Sequence, residues 1–436
     1  MTSPSSRMIN RIPTVEPDPT PTEWKYELVS NFRKDGIPAE WSADAPHAWG
    51  SEDQAMYIGC EPNGICFSHD DRFVAVWCKD SVEIYDNNAE STMHVSIEPT
   101  PQAWSINHTQ WIPEGGQKDF YRVIVCSDGR HDGSRLTERS AFTQIYILDL
   151  EHSRAIAEPK LGFHCLPWPL RCPSMLDASA ENLLVRSHPR SDFLPPADTQ
   201  VLSGQLEVWS ISGPSIRHTL PIQSSSTVWL GYSPDCNTIG VATTDQILRL
   251  FDASSGALLH ATGVLGGHIN SASFSPDGTK VACACTGVDK AVQIFGVDGS
   301  HLRTIAFEPF TRSLAWSPDG ILLAFSAQGG ALQCFDFGLH EISQSWRLRY
   351  PGVRPSPLNE PTQLQFVDNG RILLFATGQE GGVETYNFED NRKDRYEPRD
   401  ESDFVRGKKR SAIAWSNTRR AVACFDGDRV LRFWKA

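Results

Sequence analysis

Cysteine and histidine residues offer the first candidates for chemistry in this sequence. Cys283 and Cys285 lie two residues apart in a predicted strand, so both side chains point to one face of a sheet. A structural zinc site needs four ligands in a closed tetrahedron, and no second pair has the matching spacing. Cys165 and Cys172, with His164 beside the first, could form a disulfide or a loop metal site, but unreacted thiols are the favoured interpretation. We therefore predict no metal site.

Motifs that mark enzyme active sites and nucleotide sites are missing from the sequence. It has no GxxxxGKS/T phosphate loop, no GxGxxG turn that opens a helix, no HExxH zinc motif and no GxSxG nucleophile elbow. Aspartate and histidine residues are scattered, and sequence alone brings no pair of them within reach of each other. These observations predict no catalytic residue and no cofactor.

Composition limits the classes of partner. The chain has 436 residues and a net charge of -13, which disfavours direct nucleic-acid binding because that needs clustered lysine and arginine. No run of about 18 apolar residues predicts a membrane span, and the N-terminus lacks the apolar core of a secretory signal. Eleven cysteines, an odd number, favour thiols in a reducing compartment. We expect an intracellular protein of the cytoplasm or nucleus.

The elements that would position any site are strands in a repeated pattern. Segments 230–243, 272–285 and 314–327 each read as an apolar strand that ends in an aromatic residue and Ser-Pro-Asp, a turn, and a second apolar strand. Looser copies lie at 65–78, 109–129, 174–187, 363–376 and 412–425. In the turns, proline pre-sets φ, aspartate caps the backbone and glycine accepts positive φ. Alternation of apolar and polar residues predicts an all-β chain.

A third strand follows each pair and carries an aromatic residue near its end in seven of eight copies. The eight end positions are Tyr85, Leu148, Trp209, Phe251, Phe295, Phe335, Tyr386 and Trp434. One unit of about 40 to 60 residues makes a small sheet that cannot bury both of its faces alone. Setting such sheets around an axis buries each face against the next sheet.

These residues resemble the WD40-repeat β-propeller family over about residues 60–436. The resemblance rests on the Ser-Pro-Asp-Gly turns, the aromatic ends at Trp209 and Trp434, the aromatic-Asp pairs at 85–86, 251–252 and 335–336, and the unit spacing. The family's Gly-His dipeptide occurs once, as Gly267-His268, and departs from the family pattern by lying about three residues closer to Phe274. Asp245, Asp289 and Asp428 match the family's aspartate in the turn between the second and third strands. The resemblance implies a single propeller of eight blades, with seven as the alternative, closed by an N-terminal strand from 56–60 or 24–32.

The predicted domain organisation is a Ser/Thr/Pro-rich tail at 1–22 and one propeller at 23–436. Long insertions are expected at 114–142, 152–205, 351–361 and 387–410. The last of these mixes both charge signs densely and is predicted to be a solvated loop.

The function that the resemblance implies is a non-enzymatic scaffold that docks other proteins, in a multisubunit complex, on the propeller rim and inserted loops. An enzyme or small-ligand binder that uses an axial pocket stays open, as does a substrate receptor of a ubiquitin ligase, although the Trp-Asp-x-Arg ligase motif is absent. The oligomeric state is not predicted. Candidate partner-binding residues lie where each first strand enters from its loop, near the rim: Asn63, His108, Trp229, Asn270, Arg312, Gln363 and Ser411.

Overall fold

The computed structural model is built from strands that pair antiparallel in groups of four. It describes residues 27–30, 39–43, 47–48, 53–58, 62–87, 93–98, 105–112, 121–130, 139–165, 176–178, 182–187, 205–210, 215–222, 227–287, 291–306, 311–327, 331–347, 361–377, 382–397, 412–425 and 429–435. Within these ranges there is no α-helix, and the one helical turn is a 3-10 segment at Asp368–Gly370. The predicted tail at 1–22 lies outside them.

The groups of four strands, called units here, follow one another along the chain. Unit 1 contains Pro62–Phe67, Phe73–Cys78, Val82–Asp86 and His94–Ile97. Unit 2 contains Ser105–Trp111, Arg122–Arg130, Arg139–Asp149 and Arg154–Cys165. Unit 3 contains Leu176–Ala178, Asn182–Ser187, Gln205–Ser210 and Ile216–Leu220. Unit 4 contains Thr227–Tyr232, Thr238–Thr243, Leu248–Asp252 and Leu258–Ala261.

The second half of the chain repeats this arrangement. Unit 5 contains Gly267–Phe274, Lys280–Gly287, Ala291–Gly296 and His301–Ala306. Unit 6 contains Thr311–Trp316, Leu322–Ala327, Ala331–Asp336 and Glu341–Arg347. Unit 7 contains Pro361–Val367, Ile372–Thr377, Gly382–Asn387 and Arg392–Glu397. Unit 8 contains Ala412–Ser416, Ala421–Phe425 and Val430–Lys435, with Gln54–Tyr57 as its fourth strand.

The eight units form seven hydrogen-bonded sheets. Units 2 and 3 are joined through one residue pair, Cys165 with Ser187, and every other unit has a sheet of its own. The all-β prediction is confirmed, and the described residues group into eight four-stranded units.

The core lies between the units rather than within them. Seven described clusters of buried apolar side chains each combine residues of two units. Six of these clusters join units that are neighbours in the chain, and one joins unit 8 to unit 1. Most aromatic residues at the ends of the third strands are part of these clusters. Phe251 and Tyr386 are almost completely buried. Small residues of the second strands, such as Ala282 and Ala324, let neighbouring units approach closely.

The turns between first and second strands repeat one hydrogen-bonded motif in units 1, 4, 5 and 6. In unit 5, the Ser275 hydroxyl donates to Asp277 Oδ1 at 2.5 Å, and the same serine oxygen accepts the Lys280 backbone N–H at 2.9 Å. The fourth residue of each turn donates its N–H to the serine carbonyl and has positive φ. Glycine occupies that position in units 5 and 6, as Gly278 and Gly320.

The N-terminal segment adds strands to three consecutive units. Glu27–Ser30 pairs antiparallel with the fourth strand of unit 6, and Glu40–Trp41 and His47–Ala48 pair parallel with the fourth strand of unit 7. Gln54–Tyr57 then pairs with the third strand of unit 8. Of the two segments predicted to complete the last unit, 56–60 therefore contributes Met56 and Tyr57, whereas 24–32 contributes to unit 6. Closure of all units into one ring stays our prediction, and the Gln54–Tyr57 pairing supports it.

The segment predicted as a solvated loop at 387–410 contains a strand. Arg392–Glu397 is the fourth strand of unit 7, and Lys393, Arg395 and Tyr396 in it are buried. The Lys393 ammonium lies 4.9 Å from the centre of the Trp41 ring, and Arg395 lies 3.8 Å from Glu384. The added N-terminal strand buries these charged residues and supplies a partner, which a local charge pattern cannot reveal.

The cysteines differ in part from the expectation of thiols throughout. Cys78 is disulfide-bonded, with its partner outside the described side chains, whereas Cys66, Cys126, Cys236, Cys283, Cys285, Cys334 and Cys424 are thiols. Burial raises the pKa of the Cys285 thiol to about 12, so it is protonated at neutral pH. None of the described segments is a helix with the length and hydropathy needed to cross a membrane.

A buried aspartate connects unit 1 to unit 8. Oδ2 of Asp71 accepts hydrogen bonds from the Ser416 hydroxyl at 2.8 Å and from the Thr418 backbone N–H at 2.8 Å. Asn87 donates to the Asp71 carbonyl at 2.9 Å, and Arg419 donates to the Asn87 carbonyl at 2.8 Å. Units that lie far apart in the sequence are thereby joined through charge-assisted hydrogen bonds.

Replacing Cys236 by glycine should stabilise the protein. Cys236 occupies the positive-φ position of the unit 4 turn, with φ 58°, where units 5 and 6 have glycine. A left-handed conformation is unfavourable for a residue with a Cβ, so Cys236→Gly should raise the free energy of unfolding by about 1 kcal/mol. Urea denaturation measures this, and the reverse change Gly278→Cys should lower it.

A change to glycine at the equivalent position of unit 1 should have the opposite effect on the free energy of unfolding. Asp71→Gly also relieves a positive φ, of 63°, but it removes the acceptor that joins Ser416 and Thr418 to unit 1. Leaving those buried donors unsatisfied should lower the free energy of unfolding by about 2 kcal/mol. If Asp71→Gly stabilised the protein as Cys236→Gly does, the proposed role of the carboxylate would be wrong.

Candidate functional site

The first strands of six units contain a β-bulge at the same position. In each case the register with the second strand shifts by one residue near the start of the first strand, so one residue is left unopposed. The bulge residues are Asn63, Asn107, Val228, Asn270, Arg312 and Thr362. A bulge breaks the ladder locally and turns a side chain away from the regular pleat.

The first strands place these bulges at one end of the assembly. First strands of neighbouring units contact each other for most pairs of units, including units 8 and 1. The Asn270 side-chain amide donates to the Thr311 carbonyl at 2.9 Å, which joins the bulge of unit 5 to that of unit 6. Trp316 Nε1 donates to the Ser273 carbonyl at 3.2 Å between the same strands. The bulges of adjacent units therefore lie side by side.

The residues predicted from sequence fall on or next to the bulges. Asn63 and Asn270 are bulge residues, exposed and half-buried respectively, and Arg312 is one by its backbone. His108, Trp229 and Gln363 each directly follow a bulge residue. The side chains of Arg312 and Gln363, and the whole of Ser411, lie outside the described part of the chain.

Trp229 lies mostly inside the core. Its side chain is only 8% exposed, and its ring centre is 5.8 Å from that of Phe274 in unit 5. Gly240 lies directly against the indole, so a Cβ at that position would come within 2.7 Å of it. Trp229 thus joins units 4 and 5 behind the bulge of Val228 and offers little surface to a partner.

His108 is a neutral residue at the boundary of units 1 and 2. Its ring packs edge-on against Trp77 with centres 5.9 Å apart. Burial lowers the pKa of the imidazole from 6.5 to about 4, and a hydrogen bond with Gln110 opposes this only in part. His108 therefore presents no positive charge to a partner at neutral pH.

The opposite end of units 7 and 8 holds a cleft of 760 Å³ whose charges are largely compensated. It is lined by Asp368, Asn369, Arg371, Glu389, Trp415, Asn417 and Arg420. Arg371 and Arg420 each lie 2.9 Å from Asp368 Oδ2, and Arg371 lies 3.5 Å from Glu389. Because its arginines already pair with carboxylates, the cleft offers an anionic ligand little unpaired positive charge.

Metal ligation has no geometric basis in the described residues. Across these ranges no three His, Cys, Asp or Glu side chains converge so as to hold an ion. Cys283 and Cys285 share one sheet face as predicted, and both are buried.

Comparison with known proteins agrees with this architecture. Residues 260–295, which run from the fourth strand of unit 4 to Phe295 of unit 5, match the family model for the WD domain, G-beta repeat. Residues 260–295 thus carry a WD40 repeat. A WD repeat-containing protein of Arabidopsis thaliana, a WDS homolog, is 25% identical over 109 residues, which are 24% of this chain and 21% of that relative.

Repeats of this family generally mediate contacts between proteins, and proteins that contain them are typically not enzymes. The aligned stretch is about a fifth of the Arabidopsis relative, so the likeness concerns the repeat. Sequence analysis did not predict the bulges; it chose candidate residues by their distance from the aromatic residue of each first strand.

The buried imidazole of His108 should make the stability of the protein depend on pH. The unfolded chain binds a proton at His108 below pH 6.5, whereas the folded protein does so only near pH 4. Stability from this residue is thus complete above pH 6.5 and is lost as the pH falls toward 4. His108→Gln should make the fall of the thermal midpoint between pH 6.5 and 4 shallower. An unchanged slope would contradict the burial of a neutral imidazole.

Proposed function

We propose that this protein is a docking platform that binds other proteins through the bulge residues at one end of its units. The intracellular location and membership of a multisubunit complex belong to this proposal. The observation that carries it is the recurrence of the bulge in six units at one position. Bulges are over-represented at sheet edges, at the rims of barrels and next to active sites, where they re-aim a side chain or terminate pairing.

The chemistry of the bulge residues fits protein recognition. Five of the six bulge residues are polar, namely three asparagines, one arginine and one threonine: Asn63, Asn107, Asn270, Arg312 and Thr362. Arginine is enriched in binding hot spots, and asparagine offers both donors and acceptors to backbone groups. The inter-unit bond from Asn270 to the Thr311 carbonyl holds two neighbouring bulges in a fixed relation. Such a rigid surface loses little entropy on binding.

The test is affinity purification of the tagged full chain from native extract, with quantitative mass spectrometry of what is recovered. The variant Asn63→Arg with Arg312→Glu alters two bulges. We expect stoichiometric protein partners of the unaltered chain to be recovered at least about tenfold less with this variant, as for the loss of hot-spot contacts.

A matched control makes the same two chemical changes at the opposite end. Asn417→Arg with Arg420→Glu lies in the cleft of units 7 and 8. It should leave the partners bound, and both variants should keep the thermal midpoint within a few degrees of the unaltered chain. Equal recovery with the bulge variant and the parent, or equal loss with both variants, would refute docking at the bulges.

A further inference from the structure

The fourth strands of units 3, 4 and 5 form the outer edges of their sheets. They are Ile216–Leu220, Leu258–Ala261 and His301–Ala306, and each is the terminal strand in its sheet among the described residues. The equivalent strands of units 6 and 7 are not terminal, because the N-terminal segment pairs with them. The outer edges of units 6 and 7 thus each accept an additional strand, which is antiparallel in unit 6 and parallel in unit 7.

These three strands have an unusual composition for an acidic protein. They read IRHTL, LLHA and HLRTIA and contain no aspartate or glutamate, although the whole chain has a net charge of -13. Arg217 and Arg303 supply positive charge, and three histidines accompany them. The turns that precede the strands of units 4 and 5 contain Asp252 and Asp298, which already accept hydrogen bonds from serines of their own turns. The ladder partner of Thr219 in unit 3 is Glu207, which is buried.

Apolar side chains are exposed on the same strands. Leu258, Leu259 and Leu302 are each nearly half exposed, and Ile216 is similarly exposed. These four are half of the eight large apolar residues that are exposed among the described side chains. All four residues of Leu258–Ala261 are exposed. A flat apolar edge strand invites pairing with another chain unless charge, proline or a covering segment protects it.

Contacts between each strand and a turn of the next unit connect the three strands. His218 of unit 3 lies against Gly256 of unit 4, and His260 of unit 4 lies against Gly299 of unit 5. Arg303 of unit 5 then reaches the His340 carbonyl of unit 6, at 3.4 Å. The outer edges therefore form one belt, called the outer belt here, which ends beside the unit whose edge Glu27–Ser30 already covers.

We propose that the outer belt binds an extended peptide segment of a partner protein, with alternating acidic and apolar residues, as an added strand on Leu258–Ala261. The backbone of the segment would bond to the outward groups of this strand, its apolar residues would contact Leu258 and Leu259, and its acidic residues would pair with Arg217 and Arg303. This surface is distinct from the bulges, so the two proposals fail independently.

The outward backbone donor of this edge can be identified. Thr262 N–H donates inward to the Leu248 carbonyl at 3.0 Å, and His260 is paired with Leu250. Because alternate residues of an antiparallel strand bond to the same neighbour, the N–H of Ala261 points away from the sheet. Ala261→Pro removes this donor without removing any hydrogen bond to the third strand, whereas Ala261→Val keeps the donor.

The experiment measures fluorescence anisotropy of a labelled, capped ten-residue peptide of alternating Glu and Val against the purified full chain. A peptide of alternating Lys and Val is the charge control. We expect saturable binding of the Glu-Val peptide, no saturation with the Lys-Val peptide, and at least about tenfold weaker binding to Ala261→Pro. Ala261→Val should bind within about twofold of the parent.

Charge variants and oligomeric state complete the test. Arg217→Glu with Arg303→Glu should weaken binding about tenfold, and the matched reversal Arg429→Glu, on unit 8, should not change it. Unaltered binding to Ala261→Pro, or equal binding of both peptides, would overturn the proposal. If the protein formed a concentration-dependent dimer that Ala261→Pro abolished, the proposal would be overturned and the occupant of Leu258–Ala261 would be a second copy of the chain. If deletion of residues 1–22 tightened peptide binding, the occupant would be the chain's own N-terminus.

Discussion

Each unit of this protein has two apolar faces and can cover neither of them by itself. A four-stranded sheet with aromatic residues on one strand and alanine, cysteine or valine on the next is stable only between two similar sheets. All described core clusters accordingly bridge two units, and the contact of unit 8 with unit 1 gives the outermost units of the chain the neighbours they lack. The polar contacts of Asp71 and Arg419 serve this one boundary, where covalent continuity is absent.

Much of this architecture can be predicted from the sequence because it depends on interactions between residues that are close in the chain. The Ser-Pro-Asp turns and the aromatic residues of the third strands depend on neighbours within about ten residues, and they appear as predicted. The strand at Arg392–Glu397 was hidden because its charged side chains are compatible with burial only after Glu40–Trp41, far away in the chain, lies beside it. The bulges could not be predicted for another reason. A bulge is a shift in the register between two strands, and the residues of one strand do not show how it pairs with the other.

Function on such a scaffold depends on which surfaces remain unsatisfied. The arginines of the cleft between units 7 and 8 are engaged by Asp368 and Glu389. The bulge residues and the outer belt differ, because there polar or apolar groups face outward from the strands. A rigid support would let these two proposed surfaces be used without either of them reshaping the other.

The course of the N-terminal segment has a consequence for how the protein is made. Its strands pair with units 6, 7 and 8, whose residues are translated more than 300 positions later. During synthesis the ribosome therefore exposes a segment whose pairing strands do not yet exist, and the final units cannot be completed until the last strand has emerged. Contacts of such long separation slow folding and leave edge strands open in the meantime. Until those units have been synthesised, the backbone groups of the N-terminal strands lack the partners that they have in the folded protein.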